Sequence, residues 1–443
     1  MRSRTRVLVG TTATALTFGL AACGGAGTTT TDQPADGASV AAAVDVDQCA
    51  VEGTVIDVAF NSVATESMAA AVKAMEAKYP GLTFDAEPAA STSYDDLTQQ
   101  IVADIAVGNR PDLIMTGLGQ MQFWVDAYDP VPFDSSVLAD TYQKQFLGAG
   151  TARDGVTYVA PAQISAPVMV VNQDLLDEAD AGAAEDIKTY DDLLRVAEKV
   201  TTKTGSPSVS IAPTGLPEWF AQGLIQASGG TLVDSEGAAA FGDAAGVDAL
   251  RISSDLGSNG WEAGIPDATQ AMDIFTSGTL PISMVTTSNI AAISQGIGDK
   301  FDWMPIKLPT VDGNQDRALP AGGNGYMVLS EDPCRAAFAN ELIGQILTPE
   351  SVLQASGTQR SYIPVDTTAR DELLASDQAT PQMTFAWTFD NELTQWGGFP
   401  GAHTAEIYDI IEVMNQQLQT GADAESTVQS AVESINAIVG AVS

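Results

Sequence analysis

Val55-Ile56-Asp57-Val58-Ala59-Phe60 reads as a β-strand, and the alternation of helix and strand signals after it decides the fold. Met68, Val72, Met75 and Tyr79 recur at spacings of three and four, which predicts a helix ended by Pro80-Gly81. Leu82 to Ala86 is a second strand. After Ser91-Thr92-Ser93 comes a second helix with Leu97, Ile101 and Ile105 on one face. Gly108-Asn109-Arg110-Pro111 stops it before a third strand, Asp112 to Met115. A β-α-β-α-β order predicts an α/β domain whose parallel sheet is wound by right-handed crossovers. Ligands of such sheets sit at the carboxyl ends of the strands.

Downstream the pattern changes. Val156-Thr157-Tyr158-Val159-Ala160-Pro161 leads through Gln163-Ile164-Ser165 to the apolar strand Val168 to Val171, and a strand that continues past a proline can pass between lobes. Helical spacing returns around Tyr190 to Val200, Pro217 to Ala227 and Ala268 to Phe275, ahead of a strand from Leu280 to Val285. Gly322-Gly323-Asn324-Gly325 approaches another strand, and helices run from Asp332 to about Leu347 and over the end of the chain. There is no internal repeat.

Upstream, Arg2, Arg4 and Arg6 precede an apolar stretch from Val7 to Leu20, the plan of a signal peptide. The stretch is shorter than the roughly 20 residues of a spanning helix. It closes on Leu20-Ala21-Ala22-Cys23, which resembles a bacterial lipobox, so residues 1–22 are expected to be removed and Cys23 to be acylated. Residues 23–51 carry almost nothing bulky and are expected to form a flexible tether. About 390 residues remain, enough for two lobes.

The net charge is −38, and losing the three signal arginines takes it to −41. Such a surface repels phosphate backbones and anionic lipid heads, so nucleic acid is excluded as a partner and the membrane is reached through the lipid anchor only. Besides Cys23 the chain has Cys49 and Cys334, which in an exported protein form one disulfide or stay as two buried thiols.

The order of elements, with the lipobox, resembles the large extracellular solute-binding proteins of ABC importers, the class of the maltose- and glycerol-phosphate-binding proteins. The resemblance rests on Tyr79-Pro80-Gly81, on Tyr94 to Met115 with its Gly108-Asn109-Arg110-Pro111-Asp112-Leu113, and on Pro161 to Asn172 running into Gln173-Asp174-Leu175-Leu176. Phe275-Thr276-Ser277-Gly278-Thr279-Leu280 and Gly322-Gly323 complete it. It implies a two-lobed periplasmic-binding-protein fold of type II, each lobe a mainly parallel sheet flanked by helices. One lobe takes residues 52–160 with 319–362 and the other 163–318 with 363–443, joined by a hinge. It further implies a monomer without cofactor, anchored on the outer face of the cell membrane, that delivers a small solute to a permease.

In that family the lobes close on the ligand, and sugars need hydrogen-bonding side chains beside aromatic plates. The resemblance assigns ligand contacts to Tyr94, to Gln163 and Ser165 on the hinge strand, to Thr287 and Ser288, to Gly322 and Gly323 through their N–H groups, and to Tyr362. Trp219 and Trp396 fall in segments that supply stacking rings, and Gly397-Gly398-Phe399-Pro400-Gly401 predicts an exposed ring for Trp396. Trp303 and Trp387 are expected in the core. Two departures weaken the glycerol-phosphate reading: Thr116-Gly117-Leu118-Gly119-Gln120 lacks the branch's acid, and Trp396-Gly397-Gly398 lacks its phosphate-binding arginine, leaving Arg360 as the nearest candidate. The expected solute is a neutral sugar, oligosaccharide or polyol, with glycerol phosphate or a glycerophosphodiester as the alternative.

A single histidine, His403, removes histidine triads and multi-histidine metal sites. A glycosidase needs only two carboxylates, so that rival stays open on composition, as does a sensing lipoprotein that signals to a receptor.

Overall fold

The computed structural model describes residues 44–91, 93–357, 360–401 and 403–442. Cys23 and the signal segment lie outside the described residues.

Among the described residues twelve strands form, in chain order β1 Val55–Asn61, β2 Thr83–Asp85, β3 Pro88–Ala89, β4 Leu113–Gly117, β5 Val159–Ser165, β6 Pro167–Asn172, β7 Val209–Ser210, β8 Ile282–Thr286, β9 Trp303–Ile306, β10 Leu319–Pro320, β11 Gly322–Val328 and β12 Leu393–Thr394. The first sheet has the order β2-β1-β4-β11-β5, with β3 also on β1. β1 pairs parallel with β2, β3 and β4, as the β-α-β-α-β reading requires. β11 then joins β4 and β5 antiparallel, so this sheet is mixed. The second sheet runs β7-β8-β6-β9, and only its β7–β8 pair is parallel.

The first crossover helices span Thr65–Lys78 and Tyr94–Ala106 and bury Met68, Met75, Leu97 and Ile101 against the sheet, the stripe their spacing predicts. Every residue of β6 is buried, because this strand is central and covered on both faces.

The chain passes between the sheets at two places. β5 belongs to the first sheet and β6 to the second, with only Ala166 between them. β10 pairs parallel with β12, and after Ala321 the chain enters the first sheet as β11. Later in the chain Ile363 bridges to Ile164 of β5, beside the first of these passages.

Cys49 and Cys334 are joined by a disulfide, resolving the two alternatives for these residues. The end of the expected tether belongs to the folded body: Val46–Gln48 is a 3-10 turn and Cys49 is buried. Trp303 and Trp387 are core residues as expected. Among the described residues no helix is long and apolar enough to cross a membrane.

Candidate functional site

The carboxyl end of β4 and the N-terminus of the helix Tyr94–Ala106 meet on one side of the hinge. Ser93 caps that helix by accepting from the Asp96 N–H, and this fixes Tyr94 at its first position. The Tyr94 ring lies on Gly117, where a Cβ would come 3.0 Å from the ring carbons. Asn324 of β11 donates to Tyr94 Oη at 2.8 Å and to Gln163 Oε1 at 2.7 Å. Its own Oδ1 is buried and accepts nothing. Burial first, and then the neighbouring Tyr362, push the Tyr94 phenol well above its ordinary range. The Arg360 guanidinium acts in the opposite direction, which puts a positive charge at this edge of the site.

The facing wall comes from the helix Pro217–Ala227, which starts on a proline whose fixed φ suits the first helical turn. Trp219 is 1 % exposed and donates its indole N–H to the Pro320 carbonyl at 3.1 Å. Trp396 stands 5.8 Å from it, centroid to centroid, with the planes at 46°. The expectation of an exposed Trp396 ring is corrected: the residue is 8 % exposed. The loop is held down because the ring packs on Gly119, where a Cβ would sit 2.8 Å from the indole, and because Gln222 accepts from the Gly397 N–H at 2.8 Å. The Trp396 N–H itself is buried without a hydrogen-bond partner.

Glu218 lies in the same wall, 6 % exposed. Burial pushes its carboxyl up to about 7, and Asp95 from the opposite wall and Glu412 add to the rise. Its own backbone N–H and the indole N–H of Trp396 work against the rise, although the indole's geometry falls short of a hydrogen bond. Tyr408 spans the walls by donating to the Gly119 carbonyl at 3.3 Å, and its phenol is pushed up by burial, then by Glu218 and Asp95. Gln395 reaches Gln122 at 3.4 Å, and the Gly401 N–H donates to Asp126 at 2.7 Å.

Of the sequence-derived residues, Tyr94 and Gln163 meet on Asn324 with Tyr362 beside Tyr94, while Trp219 and Trp396 pair with each other. Ser165 is buried opposite Gly322 in the β5–β11 register. Gly322 and Gly323 have packing reasons to be glycine: a Cβ at Gly322 would meet Trp219 at 2.6 Å, and one at Gly323 would meet the Gln163 carbonyl at 1.8 Å. Thr287 and Ser288 pin the hinge. Thr287 Oγ1 accepts from the Ala166 N–H at 3.0 Å, and the Ser288 carbonyl accepts from the Ser361 N–H at 3.0 Å. Sequence reasoning missed Asn324, Glu218, Gln222 and Tyr408. Asn324 had a signal, an amide inside a glycine-rich strand, where an uncapped polar side chain needs a partner. Among the described residues no group of three or more histidine, cysteine, aspartate or glutamate side chains is placed to hold a metal.

Solved structures share this architecture. The cyclic alpha-maltosyl-1,6-maltose binding protein from Arthrobacter globiformis superposes with a TM-score of 0.70 at 17% identity, over 87% of this chain and 98% of that one. The sugar-binding protein MalE from Xanthomonas citri gives 0.71 at 16% identity, over 87% and 98%. UgpB from Mycobacterium tuberculosis, solved with glycerophosphocholine, gives 0.69 at 19% identity, over 88% and 99%. At these identities the likeness is one of fold. No curated protein sequence matches the chain significantly. The model of one family, described as bacterial extracellular solute-binding protein, matches residues 70–384, which take in the second sheet and all of the first except β1. The chain therefore belongs to the bacterial extracellular solute-binding proteins, a family that binds its solute and performs no chemistry on it.

Proposed function

We propose that this protein captures a carbohydrate-like solute between its two lobes and delivers it to an ABC permease, held at the extracytoplasmic face of the cell membrane by acylated Cys23. The lobes of this reading take residues 52–160 with 319–362 and 163–318 with 363–443. The observation that carries it is the pairing of two indoles, Trp219 and Trp396, with a polar frame of Tyr94, Gln163, Asn324 and Tyr362. Rings take the C–H faces of a sugar, and hydroxyl and amide groups take its edges. The names of the Arthrobacter and Xanthomonas proteins, which bind sugars, support the same class.

A second reading, a glycerophosphodiester like the one in UgpB, draws on Arg360 at the Tyr94 edge. A thermal-shift panel of neutral saccharides, polyols and glycerophosphodiesters separates the two. A true ligand at a hundred times its dissociation constant adds about 2.7 kcal/mol of stability. The carbohydrate reading expects that shift from a saccharide recovered unchanged, and a shift from phosphodiesters alone sinks it. Trp396→Ala is expected to weaken saccharide binding about tenfold, the loss of one stacking ring, as read by calorimetry on the folded variant.

A further inference from the structure

The helix Thr404–Gln419 carries two apolar stripes. Ile407, Ile411, Met414 and Leu418 are buried against the body, as helical spacing requires. Ile410 and Val413 fall beside them, and Val413 is 51 % exposed in the middle of the helix, a position that an amphipathic helix gives to a polar residue. With Met414 they line one side of a groove of about 360 Å³, and Ser430, Ala431 and Ser434 of the helix Ala424–Val442 line the other with small side chains that leave the room open. None of Tyr94, Trp219 and Trp396 lines it. The same two helices carry Glu406, Asp409, Glu412, Glu425 and Glu433 without one lysine or arginine, and the chain has neither after Arg370. Helices elsewhere hold their own counter-ions, Arg195 on Asp192 at 3.0 Å and Arg251 on Asp248 at 3.3 Å. Here Glu406 meets His403 at 3.2 Å, a ring that is charged only when protonated. Glu406 and Asp409 stand at one end of the groove, so its field is negative and is answered by a charge from outside the chain.

We propose that this groove docks a cationic amphipathic helix of a protein partner, its apolar stripe on Ile410, Val413 and Ala431 and its lysines or arginines beside Glu406 and Asp409. Glu406 to Gln417 covers roughly 17 Å, three helical turns, the length over which such a helix places anchors at i, i+3, i+4 and i+7. The small side chains of Ser430, Ala431 and Ser434 let its backbone come close, and the exposed Val413 gives it an apolar contact to dry. A second copy of the chain brings a net charge of −38 and these same acids to the contact, and an anionic bilayer is repelled by them. Like charges disfavour both as occupants. The proposal does not depend on which solute the protein carries.

The probe is a synthetic peptide of about 18 residues, leucine and lysine only, with the leucines at helical spacing. It is titrated by calorimetry into the full chain in about 0.15 M salt, beside a scrambled peptide of equal composition, and into Val413→Glu and Val107→Glu. Both valines are exposed, 51 % and 74 %, so the variants keep the fold, which their melting temperatures verify. Val413→Glu separates the groove from the general acidity of the surface, because an added acid strengthens any attraction that rests on charge alone. The expected result is one peptide per chain, roughly tenfold weaker binding of the scrambled peptide, a similar loss in Val413→Glu, and unchanged binding in Val107→Glu. Equal binding of the scrambled peptide, undiminished binding by Val413→Glu, or no binding of the helical peptide overturns the proposal. So does a dimer of the unmodified chain in sedimentation, or its adsorption to phosphatidylcholine vesicles, that Val413→Glu abolishes, since the groove then belongs to a second copy or to lipid.

Discussion

Glu218 and Glu262 are two buried carboxyls whose folded-state values are pushed up to about 7, in both cases first by burial. Glu262 accepts from the Ile211 N–H at 3.2 Å and from Gln419 Nε2 at 3.2 Å, too little to offset lost hydration. An unfolded glutamate titrates near its ordinary 4.5, so between that value and about 7 the folded state holds protons that the unfolded state has released. Stability therefore falls as pH rises through that window, by roughly 3 kcal/mol at most per group, and stays lower above it. We expect the melting temperature to be higher at pH 5 than at pH 8, and Glu262→Gln to raise it at pH 8 while changing it little at pH 5. A Glu262→Gln effect of equal size at both pH values would contradict this assignment. At this scale the sequence offered Tyr94, Gln163, Trp219 and Tyr362 as proposed contacts by position, because family motifs keep their place along the chain. It hid Glu218 and the burial of Trp396, which depend on Gly119 and Asp95 arriving from the opposite wall.

Among the elements, the β5–β11 pair does most to position the site, since it carries Gln163, Ser165 and Asn324. Its register shifts between Asn324 and Gly325, and Gly323 at φ +104 stands where only glycine fits against the Gln163 carbonyl. Gly323→Ala is expected to cost roughly 3 kcal/mol or more, from steric overlap added to backbone strain. Gly108→Ala is the control. Its φ of +94 is equally unfavourable but a Cβ there meets nothing within 4 Å, so about 1 kcal/mol is expected. Denaturant unfolding of the two variants compares them directly, and equal losses would remove the role assigned to the close approach. The parallel core β1–β4 was legible because apolar spacing and turn residues are local signals. The antiparallel entry of β11 and β5 was not, since the partner of a strand is set by chain passages far apart in sequence.

Over the whole molecule, the disulfide from Cys49 to Cys334 closes a loop with a sequence separation of 285 residues and ties the first described segment to the helix Pro333–Ile346. Constraining so long a loop in the unfolded chain is expected to contribute about 2–5 kcal/mol, which reduction or a Cys49→Ser, Cys334→Ser double variant should remove as a lower denaturation midpoint. The two-sheet plan was legible in the order of elements, whereas the degree to which the walls touch was not. Tyr408 on Gly119, Gln395 on Gln122 and Gly401 on Asp126 all join segments more than two hundred residues apart. A solute bound between such walls is enclosed by both, and ligand contacts to both lobes are what shift the population toward closure. The central claim, reversible capture of a neutral saccharide between the lobes, is tested most directly by calorimetric titration of the full chain with saccharides across a range of temperatures. The account predicts one saturable site, a negative heat-capacity change from burial of the indole faces, and sugar recovered intact. Absence of binding heat from every saccharide, with saturable binding of a glycerophosphodiester, would contradict it.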